Sequence, residues 1–126
     1  MKAKQKDLAT LRWLSIQELP RTFGTSKIFK IKYFAKSVRE KLELLNETES
    51  EVAKKIDPNW NPYEGFPRSE TYAQNINEFE TKMKPVYEEE IEVDDFPPFK
   101  LDDWKSLPLS GDRLDKLTEL GIIVEE

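Results

Sequence analysis

The chain has 126 residues, of which 37% are hydrophobic and 36% charged, with a net charge of −5. It contains neither cysteine nor histidine, which excludes disulfides, thiolate chemistry and the usual Ser-His-Asp and Cys-His arrangements within one chain. The length fits a single domain spanning 1–126, and the modest apolar content suits a thin buried seam, an elongated shape or a homo-oligomer better than a thick spherical core.

Residues 1–5 are expected to fray. A first helix is predicted over 7–19, with Asp7 as N-cap and Leu8, Leu11, Leu14, Ile16 and Leu19 giving an apolar side. Pro20 ends it, Gly24 permits a turn, and Thr25 or Ser26 caps the next helix. That helix, predicted over 26–56, carries nine positions at alternating spacings of three and four: Ile28, Ile31, Ala35, Val38, Leu42, Leu45, Glu49, Val52 and Ile56. Such spacing averages 3.5 residues and draws one seam along a helix. Its opening turns also hold Phe29, Tyr33 and Phe34, so this end is expected to be buried on more than one side.

Residues 57–68, DPNWNPYEGFPR, form an aromatic and proline-rich loop. Ser69 is the expected cap of a second seam helix over 70–84, with Tyr72, Ile76, Phe79, Met83 and Val86 in register and Pro85 near its end. The segment 88–101 reads as an acidic strand or hairpin, with Ile91 and Val93 alternating with carboxylates and Phe99–Leu101 returning as partner. Ser110 caps a short helix over 111–120, and Gly121 supplies its left-handed stop. The fold class is therefore mainly α, with α+β character at the C-terminus: a long helical hairpin, a short acidic β-segment and a small C-terminal helix.

No run of twelve apolar residues exists, so no membrane span is expected. The opening MKAKQKDLATLRWL lacks the apolar core of a secretory signal, and a cytosolic location is expected. Residues 1–41 carry a net +8 and residues 42–126 a net −13. The favoured reading is mutual neutralisation within one fold. The alternatives are steering of a partner, attraction of nucleic acid to one end, and antiparallel self-pairing.

Two sets of residues stand out as candidate binding sites. Trp60, Tyr63 and Phe66 recur every three residues in the loop, and form either a pin onto the helix ends or a recognition patch for a protein partner. Lys27, Lys30, Lys32 and Lys36, interleaved with Phe29, Tyr33 and Phe34, have the composition of a nucleic-acid grip, although an amphipathic helix face gives the same pattern. The acidic run Glu88–Asp95 matches no calcium-loop spacing and reads as a solvated strand face, so no metal or cofactor is assigned. No phosphate-cradling or dinucleotide motif occurs.

The segments LSIQELP (Leu14–Pro20), VREKLELLN (Val38–Asn46), FETKMKPVYEEEIEV (Phe79–Val93) and FKLDDW (Phe99–Trp104), followed by Leu109–Leu120, stand in an order that resembles an uncharacterised family of small tailed-bacteriophage proteins. The proline- and aromatic-rich loop at 57–68 departs from that family. The resemblance implies a helical hairpin, a viral origin and a place in the cytoplasm of an infected host cell, and it implies no chemistry. The expected function is a non-catalytic one, protein–protein interaction as an assembly factor or as a modulator of host machinery. Nucleic-acid binding by the basic half is the first alternative, and a carboxylate-metal enzyme is the second and weaker one.

Overall fold

The structure, a computed structural model, describes residues 1–125. It is mainly α with a small antiparallel sheet: β1 (Lys2–Lys4), α1 (Leu8–Ser15), α2 (Thr25–Ile56), α3 (Tyr72–Glu88), β2 (Glu90–Glu92) and α4 (Gly111–Glu119), with 3-10 turns at Gln5–Asp7 and Leu101–Trp104. At 1.5 Å per residue, α2 is about 48 Å long, and α1 and α3 pack against it.

The two halves of α2 find different partners. Its N-terminal half buries Ile31, Phe34 and Val38 against α1, whose Leu8, Leu11 and Leu14 are fully enclosed, and against the segment that follows β2. There Phe96 stands edge-on to Phe34 at 5.1 Å and to Phe99 at 6.0 Å, while Phe23 and Trp104 close the cluster at 5.5 Å from each other. Edge-to-face packing of this kind adds to plain area burial. The C-terminal half of α2 buries Leu45, with Leu42 and Val52 partly covered, on the side where α3 brings Met83, Phe79 and Val86. The nine-position seam is thus real, but it is shared. The hairpin accounts for its second half only.

Several local expectations are corrected. Residues 1–5 are not frayed: Lys2–Lys4 pairs antiparallel with Glu90–Glu92, in the register Lys2 to Glu92, Ala3 to Ile91 and Lys4 to Glu90. Alternate lysines therefore meet alternate glutamates, and opposite charges facing across a ladder stabilise it. This is also where part of the charge asymmetry is neutralised. The acidic strand does not pair with Phe99–Leu101. Phe99 instead bridges in parallel to Ile123, which docks the tail.

The first helix stops at Ser15 rather than at residue 19. The Ser15 hydroxyl donates to the Arg12 carbonyl at 2.8 Å and the Gln17 amide to the Trp13 carbonyl at 2.8 Å, so side chains take the carbonyls a further turn would have used. Asp7 precedes α1 but makes no cap bond; its buried carboxylate turns to Lys116 of α4 at 3.4 Å. Ser69 caps no helix either: its hydroxyl bonds the Thr71 hydroxyl, and α3 begins at Tyr72. Nor do Thr25 and Ser26 cap α2, since Gly24 holds that position.

The second seam helix continues through Pro85 to Glu88. Proline forfeits one helical hydrogen bond, and the partly buried Val86 and Tyr87 just beyond it offset that loss. At the C-terminal end, Ser110 accepts from the Arg113 N–H at 3.3 Å, and Gly121 takes φ 76° to end α4.

Candidate partner-binding surface

The outer side of α2 presents several large apolar side chains to solvent. Three of the exposed large hydrophobic residues lie on it: Phe29 at 55% exposure, Tyr33 at 64% and Leu44 at 58%. Phe29, Tyr33, Lys36, Glu40, Leu44 and Glu47 recur at spacings of three and four, and so share one stripe. The buried Ile31 and Val38 lie on the opposite side of the same helix. The expectation that the opening turns of α2 are buried on more than one side is corrected here. Only the side holding Ile31 and Phe34 is covered, because α1 and the Phe96 segment both approach from that direction.

All four lysines singled out by spacing are exposed, but Lys27 lies on the side of Ile31 and Phe34 and not on the outer stripe. Lys27 stands over the Phe23 ring at 5.3 Å and Lys32 over Phe29 at 5.9 Å, contacts in which the ring face attracts the ammonium. Lys36 approaches Glu40 only to 4.0 Å, and both side chains are solvated, a pair worth little to stability. Lys30 is exposed. The basic group therefore divides: Lys27 covers the buried Phe23 ring at the edge of the core, whereas Lys32 lies beside the exposed Phe29 and Lys36 shares its stripe.

The aromatic loop separates into three fates. Phe66 is buried and edge-on to Phe79 at 6.0 Å. Trp60 is half-buried and lines a groove of about 520 Å³ with Asn46, Glu49 and Phe79. Tyr63 is 95% exposed. The loop is held by local hydrogen bonds: the Asn61 side-chain oxygen accepts from the N–H groups of Tyr63 and Glu64 at 3.0 and 2.8 Å, and Gly65 takes φ 74°. Asparagine turns and a left-handed glycine fix such tips without a core. One aromatic of the three is thus freely presented.

A further groove, of about 610 Å³, lies between the Leu101–Trp104 turn, α4 and the tail. Leu101, Leu114, Ile123 and Val124 line it together with Asp102 and Asp115. The sequence gives no motif for it, because its walls are assembled by the parallel bridge from Phe99 to Ile123, a contact between distant segments.

Among the described residues no three acidic side chains converge on a common point that would hold a metal ion, and no helix is long and apolar enough to cross a membrane. The acidic run is engaged elsewhere: Glu88, the last residue of α3, accepts from both Lys4 and Lys6 at 2.9 Å, and these two ammonium groups hold its carboxyl down at about 2. Family models, curated proteins and solved structures give no match to this chain.

Proposed function

We propose that the chain is a non-catalytic interaction protein that docks a protein partner on the outer face of α2, with Phe29 and Tyr33 as its aromatic anchors. The observation that carries this is their exposure directly opposite a well-packed core. Large aromatics lose apolar burial when left in water, and clusters of them rimmed by charge are the usual anchors of protein interfaces. The composition supports the non-catalytic part. Without histidine or cysteine, the remaining acids and bases are mostly solvated or paired with each other. The order of segments resembling tailed-phage proteins supports a role in the cytoplasm of an infected host, as an assembly factor or as a modulator of host machinery.

A nucleic-acid reading is favoured by one specific observation, the exposure of Phe29 and Tyr33 among Lys27, Lys30, Lys32 and Lys36, since lysines grip phosphates and aromatics stack bases. The same stripe continues into Glu40, Glu43 and Glu47, which repel a phosphate backbone. Protein docking is therefore the better account.

The test places a photo-cross-linking residue at Tyr33 or, separately, at Tyr63, in cells that produce the chain. Capture of a defined polypeptide from position 33 and not from position 63 is expected. Capture from position 63 alone would move the docking site to the loop. A salt-dependent gel shift lost on neutralising Lys30, Lys32 and Lys36 would favour nucleic acid instead.

A further inference from the structure

We infer that the outer face of α2 pairs with the same face of a second copy of this chain, the two helices running antiparallel about a two-fold axis near Arg39 and Glu40. The inference rests on the reading of that face as the docking surface, and names its occupant.

The charge order along α2 carries the argument. From Thr25 to Arg39 the helix holds Lys27, Lys30, Lys32, Lys36 and Arg39 and no acid. From Leu42 to Ala53 it holds Glu43, Glu47, Glu49 and Glu51 and no base. The N-terminal half is basic, and the stretch Leu42–Ala53 beyond the middle of the rod is acidic, bounded by Lys41 before it and by Lys54 and Lys55 after it, with Glu49 turned to Tyr87 and Glu43, Glu47 and Glu51 exposed. A parallel pair would set like charges against like. An antiparallel pair sets each basic half against an acidic stretch, and does so twice by symmetry, as an isologous two-fold contact requires.

The register follows from the side chains on the free face. With the axis between residues 39 and 40, Lys36 of one copy stands opposite Glu43 of the other, and Lys32 opposite Glu47. In a two-fold antiparallel pair, residues on one flank meet the same flank of the partner, and these four lie on one flank or the adjoining seam. Tyr33 comes within one turn of Leu44 of the other copy, so the exposed apolar groups are brought together as well. Phe29 lies farther out, over the stem of the facing helix near Ser50.

Within one copy these groups make only weak contacts, Lys32 over the Phe29 ring at 5.9 Å and Lys36 beside Glu40. Among the described residues Glu43 and Glu47 make no ion pair, and Lys36 reaches Glu40 only at 4.0 Å. Lys32, Tyr33, Lys36, Glu40, Glu43, Leu44 and Glu47 are all exposed, so the stripe is open along the full contact. The charges set orientation and register, while burial of Tyr33 and Leu44 supplies affinity.

The chain contains no cysteine, so single-cysteine variants report the geometry cleanly. Glu40→Cys sits beside the axis and is expected to form a disulfide-linked dimer on mild oxidation. Glu51→Cys is separated from its symmetry mate by about 35 Å and is expected to remain unlinked. A second measurement uses charge reversal. Lys32→Glu with Lys36→Glu, and separately Glu43→Lys with Glu47→Lys, should each weaken self-association in sedimentation on the order of tenfold, and an equimolar mixture of the two should recover it.

A chain that sediments as a monomer at every concentration overturns the inference, as does equal cross-linking at positions 40 and 51. A monomer that still cross-links a different polypeptide from position 33 removes self-pairing and leaves the docking face standing. Loss of both removes the two together.

Discussion

The Tyr87 hydroxyl donates a 2.6 Å hydrogen bond to the Glu49 carboxylate, joining α3 to the one charged position in the seam of α2. Burial first, and then this bond, push the Tyr87 phenol well above its ordinary value. Tyr87→Phe leaves a half-buried carboxylate without its donor, and is expected to cost about 1–2 kcal/mol in urea denaturation. Because the folded chain holds the phenolic proton more tightly than the unfolded one, the contribution is complete below about pH 10 and declines as the pH rises above it. A variant as stable as the parent at pH 7 would show that water replaces the phenol at no cost.

The two lysines around Glu88 clasp the end of α3 to the N-terminal segment, and acid pH releases the clasp. A carboxyl held at about 2 in the folded chain contributes stability above its ordinary value near 4.5, and loses that contribution as the pH falls toward 2. Glu88→Gln should therefore lower the melting temperature at pH 6, and the gap from the parent should narrow through pH 4 and nearly close by pH 2. The same gap should shrink in high salt, because all three side chains are solvated. A gap that stays constant across this pH range would mean that the ion pairs are not what Glu88 contributes.

Phe96 is the hub of the aromatic cluster, touching Phe34, Phe99 and Trp104 at ring separations of 5.1, 6.0 and 6.4 Å. Phe96→Ala empties the space between Phe34 of α2 and the Phe99 and Trp104 rings, and should destabilise the chain by about 3–5 kcal/mol. Tryptophan emission should shift to the red at lower denaturant than in the parent, since Trp104 is packed against the lost ring. An unchanged midpoint would place the core elsewhere.

The loop offers an internal contrast. Tyr63→Ala alters a side chain that touches solvent and should change stability by less than about 0.5 kcal/mol. Phe66→Ala removes the ring seated on Phe79 and should cost several times more, on the order of 3 kcal/mol. Calorimetry of the two variants checks the assignment, and equal losses would contradict it.

The long helix, the second seam helix, the acidic strand and the last helix are legible in the sequence because each carries a strong local signal: heptad spacing, alternation of Ile91 and Val93 with acids, or the Ser110 and Gly121 stops. What is not legible depends on distant pairing. Lys2–Lys4 has little strand propensity and becomes a strand because β2 offers it a complementary edge. The alternation of Lys2, Lys4 and Lys6 against Glu88, Glu90 and Glu92 is the signal that could have revealed it. Phe34 lies off the three-four seam and is nevertheless fully buried, because Phe96 arrives from sixty residues downstream. The exposure of Phe29 and Tyr33 has the same origin: periodicity marks greasy turns, and only the position of α1 and of the Phe96 segment decides which side they cover. For the loop aromatics, equal spacing of Trp60, Tyr63 and Phe66 carries no information about the bend at Asn61, which sends the three side chains to different surroundings.

The outer face of α2 is the centre of the functional account, and the double variant Phe29→Ser with Tyr33→Ser tests it most directly. A photo-cross-linker at Lys36 is introduced into the parent and the variant, and cross-linking yield and melting temperature are measured for both. The account predicts a melting temperature, measured at a concentration where the chain is monomeric, changed by no more than about 2 °C, because both rings are solvated in the single copy, together with near-complete loss of cross-linked product. Full retention of the product, or collapse of the fold, would contradict it.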